Sequence, residues 1–389
     1  MLSGQNIICI GVTDFGTDIP TGKDQIMKIL SQQNRILMVN TAGNRTPKLI
    51  KRDFQKAFGK ITEWFRGVRR FSNNIFIFSP IRMPFSKYPI IRKLNLAISL
   101  ISLNLIVKKL GFDKPILWIY NLEYADICQK LDHSLTIYYV CDDYSLFRGV
   151  PQRILQEKEQ QLLRSADLVF VAHRPLYEDR KKLNSNTCLI PNATNPEHFQ
   201  INFNLSITDD IANLKHPIVG FSGTLDDDWV DIDLIYESAI TYPSYSFVLL
   251  GTVKADWKKL QELSNVYYLG RKSYNRVPLY YQAFDICIIP FKQTPLTKNI
   301  DIPLKLLEYF AVGKPVVAIN INKLEEFEGI YWVAESREQF IQYLGMVLDG
   351  ETESLKMKRM EIARQNSWMA RVNQMSEIIE ELEKERLSK

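Results

Sequence analysis

Short runs of consecutive apolar residues recur along the chain, separated by segments with apolar residues at helical spacing. Runs rich in β-branched and aromatic residues, without polar alternation, are typical of parallel strands covered on both faces. Their alternation with helical segments predicts βαβ units and an open, doubly wound parallel sheet. The first series of predicted strands lies at 6–12, 35–40, 75–78, 116–120, 135–140, 168–172 and 188–191.

The pattern breaks over residues 195–216, a polar stretch with weak periodicity, and a second series of predicted strands then begins. A chain of 389 residues is too long for one ordinary core. We therefore predict an α/β protein with two Rossmann-like domains, at 1–200 and 215–366, and a C-terminal helix at 367–389 that packs back on the first domain. The strands of the second series are predicted at 218–222, 246–250, 266–269, 285–289, 315–319 and 331–333.

Composition narrows the class of protein. Hydrophobic residues make up 46% and charged residues 24%, as in a water-soluble globular protein, and the net charge of +5 would not repel an anionic nucleotide. Five cysteines without a C-x-x-C pair suggest reduced thiols in a cytoplasmic protein, and the four histidines lack zinc-ligand spacing. No signal peptide is visible at the N-terminus. No nucleic-acid recognition module accompanies the basic residues, which disfavours nucleic-acid binding.

Two segments bear on membranes. The apolar run 94–107 contains Asn and Ser and is shorter than the roughly 20 residues that a membrane span requires, so we interpret it as a core helix rather than an interfacial one. The segment 48–70 interleaves basic and aromatic residues. It fits a helix lying on an anionic membrane surface, and it fits equally a solvated helix that covers the sheet.

The most informative stretch, residues 301–317, follows a predicted strand and a polar loop. Pro303 suits a helix start because its fixed φ is already helical and its missing amide has no partner there. Lys305 and Glu308 are three residues apart and share one helix face. The apolar side chains expected to be buried on the other side are Leu304, Leu307 and Phe310.

A helix start that carries a cation suits a diphosphate, because free amides and the helix dipole already favour anions. The Glu308 carboxylate, one turn on, could accept hydrogen bonds from ribose hydroxyls. The alternative is that Lys305 and Glu308 form a solvated ion pair, which contributes a few tenths of a kcal/mol.

Two further loops follow strands of the second series. Ser222, Gly223 and Thr224 end the first strand, where glycine permits close approach to a phosphate, although ordinary turns have the same composition. The acidic run 226–233 fits a metal–diphosphate site or, as we favour, the start of a helix. Gly270 and Arg271 end another strand, where the arginine either reaches a phosphate bidentately or is a surface residue.

In the first domain, the loop 11–22 contains Gly16 and is long enough to approach a ligand. Asp142 and Asp143 follow the strand at 135–140, where one of them could orient or deprotonate an acceptor hydroxyl. The alternative is a structural carboxylate that caps the next helix or pairs with Arg148. His173 follows the next strand, either as a catalytic group or as a satisfied polar residue.

Together these motifs resemble the GT-B-fold glycosyltransferases, particularly the bacterial enzymes of teichuronic acid and capsule synthesis. The resemblance covers nearly the whole chain, and its most specific part is 303–317. It implies two domains facing across a deep cleft, with the acceptor on the first and the sugar nucleotide on the second. The supporting motifs lie at 166–172, 189–192, 196–199, 220–223, 269–271 and 367–371.

The resemblance implies that Glu308 binds the nucleotide ribose, while Lys305 and Arg271 neutralise the departing diphosphate. No metal or other cofactor is then required. The candidate catalytic residues are Asp142, Asp143, His173, Lys305 and Arg271. The candidate nucleotide-sugar contacts are Gly16, Ser222, Gly223, Thr224, Gly270, Arg271, Pro303, Leu304, Lys305 and Glu308.

The chain departs from the family pattern at several positions. Retaining relatives carry a Glu eight positions before the equivalent of Glu308, where this chain has Ile300 followed by Asp301. The stereochemistry of transfer is therefore open. Asn192 is followed by Ala193 rather than the usual glycine, and His173 replaces the usual serine.

These features predict a cytoplasmic glycosyltransferase that moves a sugar from a nucleoside diphosphate to a cell-surface glycan or lipid-linked precursor. Contact with the inner face of the plasma membrane is part of this interpretation. Two alternatives stay open: a sugar-nucleotide epimerase or hydrolase, and a non-catalytic partner in a glycan-assembly complex.

Overall fold

The computed structural model describes residues 1–11, 13–40, 67–80, 89–127, 130–143, 146, 152–200, 209–322 and 324–388. Most of the basic segment 48–70 lies outside these ranges. The chain divides into two compact units: unit 1 comprises Met1–Ile190 and Val372–Lys389, and unit 2 comprises Pro191–Arg371.

Unit 1 contains a sheet of eight strands in the order β3-β4-β2-β1-β5-β6-β7-β8. All neighbouring pairs are parallel except β3 and β4. The strands other than β3 are mostly buried and apolar, as the continuous runs predicted, whereas β3 consists of two exposed arginines. The strands are β1 (Asn6–Ile10), β2 (Arg35–Val39), β3 (Arg69–Arg70), β4 (Ile75–Phe78), β5 (Ile116–Ile119), β6 (Leu135–Val140), β7 (Leu168–Val171) and β8 (Thr187–Leu189).

Helices connect the strands of unit 1 and cover the sheet. They are α1 (Gly22–Leu30), α2 (Pro89–Leu110), a 3₁₀ helix (Leu122–Ile127), α3 (Gln152–Ser165) and α4 (Arg174–Arg180). The α1 helix begins with a capping box, in which the backbone amide of Thr21 donates to Asp24 Oδ2 over 2.7 Å.

The apolar run 94–107 forms most of α2, but the interpretation as a core helix is wrong for one of its faces. Leu103 is fully buried against the core of unit 1, whereas Leu94, Ile101 and Leu105 are exposed. The helix packs on unit 1 through a side that also carries the buried Asn95. Its apolar residues run all round the helix, so one side remains uncovered whichever way it packs.

Unit 2 contains a fully parallel sheet of six strands in the order β11-β10-β9-β12-β13-β14. Counted within the unit, this is the Rossmann order 3-2-1-4-5-6. The strands are β9 (Ile218–Ser222), β10 (Ser246–Leu250), β11 (Val266–Gly270), β12 (Ile286–Pro290), β13 (Val316–Ile319) and β14 (Trp332–Ala334). The prediction of an α/β protein built from two parallel sheets is confirmed.

Apolar clusters cover both faces of this sheet. The helices of unit 2 are α5 (Pro196–Phe199), α6 (Asp209–Ala212), α7 (Ile232–Thr241), α8 (Lys258–Gln261), α9 (Val277–Ala283), α10 (Leu304–Ala311), α11 (Arg337–Met346) and α12 (Glu353–Gln365). Three short 3₁₀ helices lie at Tyr274–Arg276, Thr297–Asn299 and Glu325–Phe327.

The polar stretch after residue 195 begins inside unit 2. Phe199 is buried there, and its ring stacks on that of Tyr281 at a centroid distance of 5.6 Å. This packing places α5 in the second unit although the strand pattern resumes only at residue 218.

The last helix, α13 (Trp368–Leu387), starts at the end of unit 2 and continues in unit 1. Within unit 1, Val372 and Met375 are fully buried, and Arg386 forms an ion pair with Asp167. None of the helices described here is long and apolar enough to cross a membrane.

Candidate nucleotide-sugar site

The strand order of unit 2 reverses between β9 and β12, which are hydrogen-bonded neighbours. In open α/β sheets, the crevice beyond the carboxyl ends of the strands at such a reversal is the usual ligand site. The chain leaves β9 through Gly223 and leaves β12 through a loop that leads into α10. Both predicted phosphate-binding segments therefore lie at this point of the sheet.

Pro303 occupies the N-cap position of α10, with φ −62° and ψ 137°. Asn192 donates its side-chain amide to the Ile302 carbonyl over 3.0 Å, which fixes the chain just before the helix. The first amides of a helix have no intrahelical partner, so they can donate to an anion. Leu304 is 41% exposed, and the expectation that it is buried with Leu307 is therefore wrong.

The Lys305 ammonium lies over two aromatic rings, with Nζ 4.3 Å from the Phe221 ring centroid and 5.3 Å from that of Phe291. It has no hydrogen-bond or ion-pair partner within the described ranges. Burial lowers the pKa of Lys305 to about 8, because the charged form loses hydration, and the nearby Glu308 only partly offsets this. An anion beside Nζ would restore that lost stabilisation.

Glu308 has a hydrogen-bond partner, whereas Lys305 has none in the part of the chain that the structure describes. Tyr281 donates its hydroxyl to Glu308 Oε2 over 3.0 Å, and the Ser222 amide donates to the Tyr309 hydroxyl over 3.0 Å. Burial raises the pKa of Glu308, although the Tyr281 hydrogen bond opposes the shift. Lys305 and Glu308 thus do not form the solvated ion pair that the sequence left as an alternative.

Gly223 brings the backbone close to Lys305. A Cβ added to Gly223 would lie 2.8 Å from Lys305 Nζ, and its φ of +148° is one that other residues rarely adopt. The neighbouring strand end is packed just as tightly, because a Cβ on Gly251 would lie 1.8 Å from the Gly223 carbonyl oxygen. Ser222 is half-buried and Thr224 is exposed beside this glycine.

Gly270 is the last residue of β11, the edge strand, and Arg271 follows it. The Gly270 carbonyl accepts a hydrogen bond from the Gly251 amide over 3.0 Å. Arg271 is exposed. Because strands lie about 4.8 Å apart, its backbone is roughly 10 Å from the end of β9. The structure therefore places Arg271 at the same edge of the sheet as Gly223, but it does not bring Arg271 into contact with Lys305.

The carboxylates of the acidic run contact basic side chains or cap a helix. Asp226 pairs with Lys254 at 3.0 Å, Asp227 with Lys292 at 3.6 Å and Asp233 with Lys259 at 2.6 Å. Asp231 caps α7 by accepting from the Leu234 amide and also pairs with Arg337. These contacts fit the start of a helix, the interpretation favoured from the sequence.

Asp142 and Asp143, at the end of β6 in unit 1, have different environments. Arg180 Nη2 lies 3.4 Å from Asp143 and 3.1 Å from Glu159. Asp143 is therefore a paired carboxylate; Arg148, the partner considered from the sequence, lies outside the described residues. Burial raises the pKa of Asp142 to about 6, and the charge of Asp143 adds to this shift.

His173 is buried at the N-cap of α4, at the end of the neighbouring strand β7. The amide of Ala172 donates to the Val140 carbonyl over 2.9 Å, so His173 and Asp142 follow adjacent strand ends. Gly16 lies in the exposed loop after β1, where its φ is +76° and a Cβ would meet the Phe71 ring at 2.8 Å. This loop belongs to unit 1, whereas Gly223, Lys305 and Glu308 belong to unit 2.

Ile300 is buried, and its neighbour Asp301 accepts a hydrogen bond from the Asn322 side chain over 2.9 Å. Sequence reasoning missed Phe221, Tyr281 and Tyr309 as parts of the site. Aromatic residues in apolar runs are usually core residues, and the positions of Tyr281 and Tyr309 become informative only when helix pairing is known.

Comparisons with known proteins agree with this geometry. The family described as "Glycosyl transferases group 1" matches residues 216–349, which include Gly223, Lys305 and Glu308. A putative teichuronic acid biosynthesis glycosyltransferase of Bacillus subtilis, TuaH, is 26% identical over 230 residues, which are 56% of this chain. The alignment spans 57% of that curated relative.

Solved structures of similar fold match almost the whole chain. Sucrose-phosphate synthase from Thermosynechococcus elongatus has a TM-score of 0.69 at 16% identity, covering 97% of this chain and 99% of its own. Anabaena HepE in complex with UDP has a TM-score of 0.65 at 13% identity, covering 97% and 100%. At these identities the likeness establishes the fold, which is that of the GT-B proteins.

Proposed function

We propose that this chain, a GT-B-fold protein with a group 1 glycosyltransferase domain, transfers a sugar from a nucleoside-diphosphate donor. The observation that carries the proposal is the Lys305 ammonium, which is half-buried beside Gly223 at the start of α10 and has no anionic partner in the described ranges. Anabaena HepE, of the same fold, was solved with UDP. The TuaH likeness supports a cell-surface glycan or a lipid-linked precursor as the acceptor.

Unit 2 would hold the donor. Lys305 and the first amides of α10 stabilise the negative charge that grows on the diphosphate as the sugar leaves, and Arg271 assists from the edge of the same sheet. Glu308, oriented by Tyr281, accepts hydrogen bonds from the ribose hydroxyls. We expect these groups to neutralise the phosphates without a metal, and Asp226, Asp227 and Asp233 each lie beside a lysine.

Unit 1 would supply the group that acts on the acceptor. Asp142 is the better candidate of the two aspartates, because Asp143 is held by Arg180. A pKa of about 6 leaves Asp142 ionised at neutral pH and still basic enough to orient or deprotonate a hydroxyl. His173 follows the adjacent strand and is the second candidate for contact with the acceptor. Acceptors anchored in a lipid bilayer would be met at the inner face of the plasma membrane.

Calorimetric titration with UDP, GDP, TDP and CMP tests the donor half of the proposal. At least one nucleoside diphosphate should bind the wild type, and Lys305→Ala should weaken that binding at least tenfold while the protein stays folded. Lys258→Ala, at an exposed site on α8, is the matched control and should bind normally. If Lys305→Ala binds as tightly as the wild type, the assignment of this site is wrong.

Sugar transfer is tested separately, by following release of the nucleoside diphosphate from UDP-sugars with and without membrane extract. A glycosyltransferase releases the nucleotide faster when an acceptor is present and incorporates the sugar into it. Release that is unaffected by the acceptor would identify a hydrolase instead.

A further inference from the structure

The outer face of α2 in unit 1 is apolar and exposed along most of the helix. Ile90 is 79% exposed, Leu94 49%, Ile101 63% and Leu105 64%. These positions are separated by four, seven and four residues, which places them on one stripe of the helix. At 1.5 Å per residue, the stripe from residue 90 to residue 105 is about 22 Å long.

Two buried positions on the inner face of the same helix carry polar residues. Asn95 and Ser99 are 4% and 2% exposed, next to the fully buried Leu103. A helix that only covers a sheet buries its most apolar side and exposes its polar side. In α2 the inner side packs Leu96, Leu100 and Leu103 on the core, and the outer stripe is apolar as well. A covering helix has no need of this second apolar stripe, which indicates that the stripe faces an apolar phase when the protein is at work.

Basic residues border the stripe. Lys93 and Lys109 are exposed, and on a helical projection they fall on opposite sides of the apolar stripe, while Lys108 lies at its C-terminal end. The helix Pro89–Leu110 contains no Asp or Glu. Long lysine side chains can place their stems beside apolar groups and their charges at the level of lipid headgroups.

We propose that α2 docks unit 1 on an anionic lipid surface, with Ile90, Leu94, Ile101 and Leu105 entering the headgroup region. The lysines then lie at the level of the phosphates. The helix lies in the interface rather than across the bilayer, since no described helix is suited to cross one. This proposal specifies which helix makes the membrane contact named in the proposed function. It rests on that function for the identity of the membrane.

Charge favours a lipid surface over a second copy of the chain. In an antiparallel pair of α2 helices packed through this stripe, Lys93, Lys108 and Lys109 of both copies would border the same contact. The helix has no carboxylate that could neutralise these charges. An anionic bilayer complements the apolar stripe and the lysines together.

Co-sedimentation of the full chain with vesicles tests the proposal. The wild type should sediment with vesicles that contain about one third phosphatidylglycerol in phosphatidylcholine, and much less with phosphatidylcholine alone. The double variant Ile101→Glu/Leu105→Glu should lose at least about tenfold in binding. Lys108→Ala/Lys109→Ala should lose severalfold, and added salt should weaken wild-type binding.

Ile240→Glu is the matched control, because Ile240 is a 50% exposed apolar residue of unit 2, and it should bind vesicles as the wild type does. Circular dichroism and thermal melting of the Ile101→Glu/Leu105→Glu variant check that unit 1 is folded, independently of the nucleotide site in unit 2. Lys305→Ala should still bind vesicles, so a failure of the nucleotide site is distinguishable from a failure of α2.

Vesicle binding of Ile101→Glu/Leu105→Glu at the wild-type level would overturn the proposal. So would a wild type that fails to bind anionic vesicles at low salt. A wild-type dimer that becomes monomeric in this variant, without vesicle binding, would instead identify the stripe as a contact between copies.

Discussion

The protonation of Lys305 should respond to donor binding. In the free protein burial lowers the pKa of Lys305 to about 8, so about half of the molecules carry a neutral Lys305 at pH 8. A diphosphate beside Nζ favours the charged form and raises the pKa towards or above its ordinary value near 10.4. Binding at pH 8 should therefore take up about 0.5 proton per nucleotide.

The same shift makes affinity depend on pH, with a defined sign. The protonated form of Lys305 binds the anion, and its population in the free protein falls from about 90% at pH 7 to about 25% at pH 8.5 if the pKa is 8. The dissociation constant should rise about fourfold across that range. UDP-glucose is the suitable ligand, because both of its phosphates are esterified and neither takes up a proton in this range.

Calorimetry in two buffers of different ionisation enthalpy measures the proton uptake directly. Lys305→Arg is the matched variant, since a guanidinium stays charged throughout this range and should bind with no uptake at Lys305. Tight binding by the wild type without proton uptake at pH 8 would refute the reasoning. Equal uptake by the wild type and by Lys305→Arg would assign the proton to another group.

Three further changes should act on different parts of the site. Asp142→Asn should lower transfer at least a hundredfold while donor affinity stays unchanged, and the wild-type rate should fall below about pH 6 as Asp142 becomes protonated. Gly223→Ala should weaken nucleotide binding at least tenfold, as titration would show, because its Cβ would lie 2.8 Å from Lys305 Nζ. Tyr281→Phe removes the hydroxyl that donates to Glu308 and should weaken donor binding by about 0.5–1.5 kcal/mol.

Two of these changes have a control within the chain. Gly329→Ala also places a side chain at a positive φ, +72°, but has open space around its Cβ, so it should destabilise the fold without affecting the nucleotide. Tyr242→Phe removes a hydroxyl that donates to the Ile341 carbonyl and should leave donor binding intact. A pH profile unchanged in Asp142→Asn would show that another group titrates near pH 6.

Much of the fold could be predicted from the sequence, because the apolar runs of parallel strands are continuous and few alternatives fit them. The start of α10 was equally predictable, because Pro303 indicates a helix start. Lys305 and Glu308, three residues apart, indicate a binding site on one face of that helix. The partners of these residues were not predictable in the same way. Tyr281 reaches Glu308 from α9, and this contact depends on how two helices pack rather than on any local spacing.

The same limit explains the errors at Leu304 and in α2. Periodicity shows that a helix is apolar, but it does not show which side meets the core when apolar residues surround the helix. Leu304 and Ile101 are exposed although their neighbours Leu307 and Leu103 are buried. Asp142 and Asp143 were indistinguishable in the sequence, and only Arg180 separates them, from a helix 37 residues beyond Asp143 along the chain.

The most direct test of the central claim is a crystal structure of the protein with UDP. The account predicts the diphosphate between Lys305 Nζ, Gly223 and the first amides of α10, with the ribose hydroxyls on Glu308. A nucleotide bound elsewhere, without contact to residues 303–308, would contradict it.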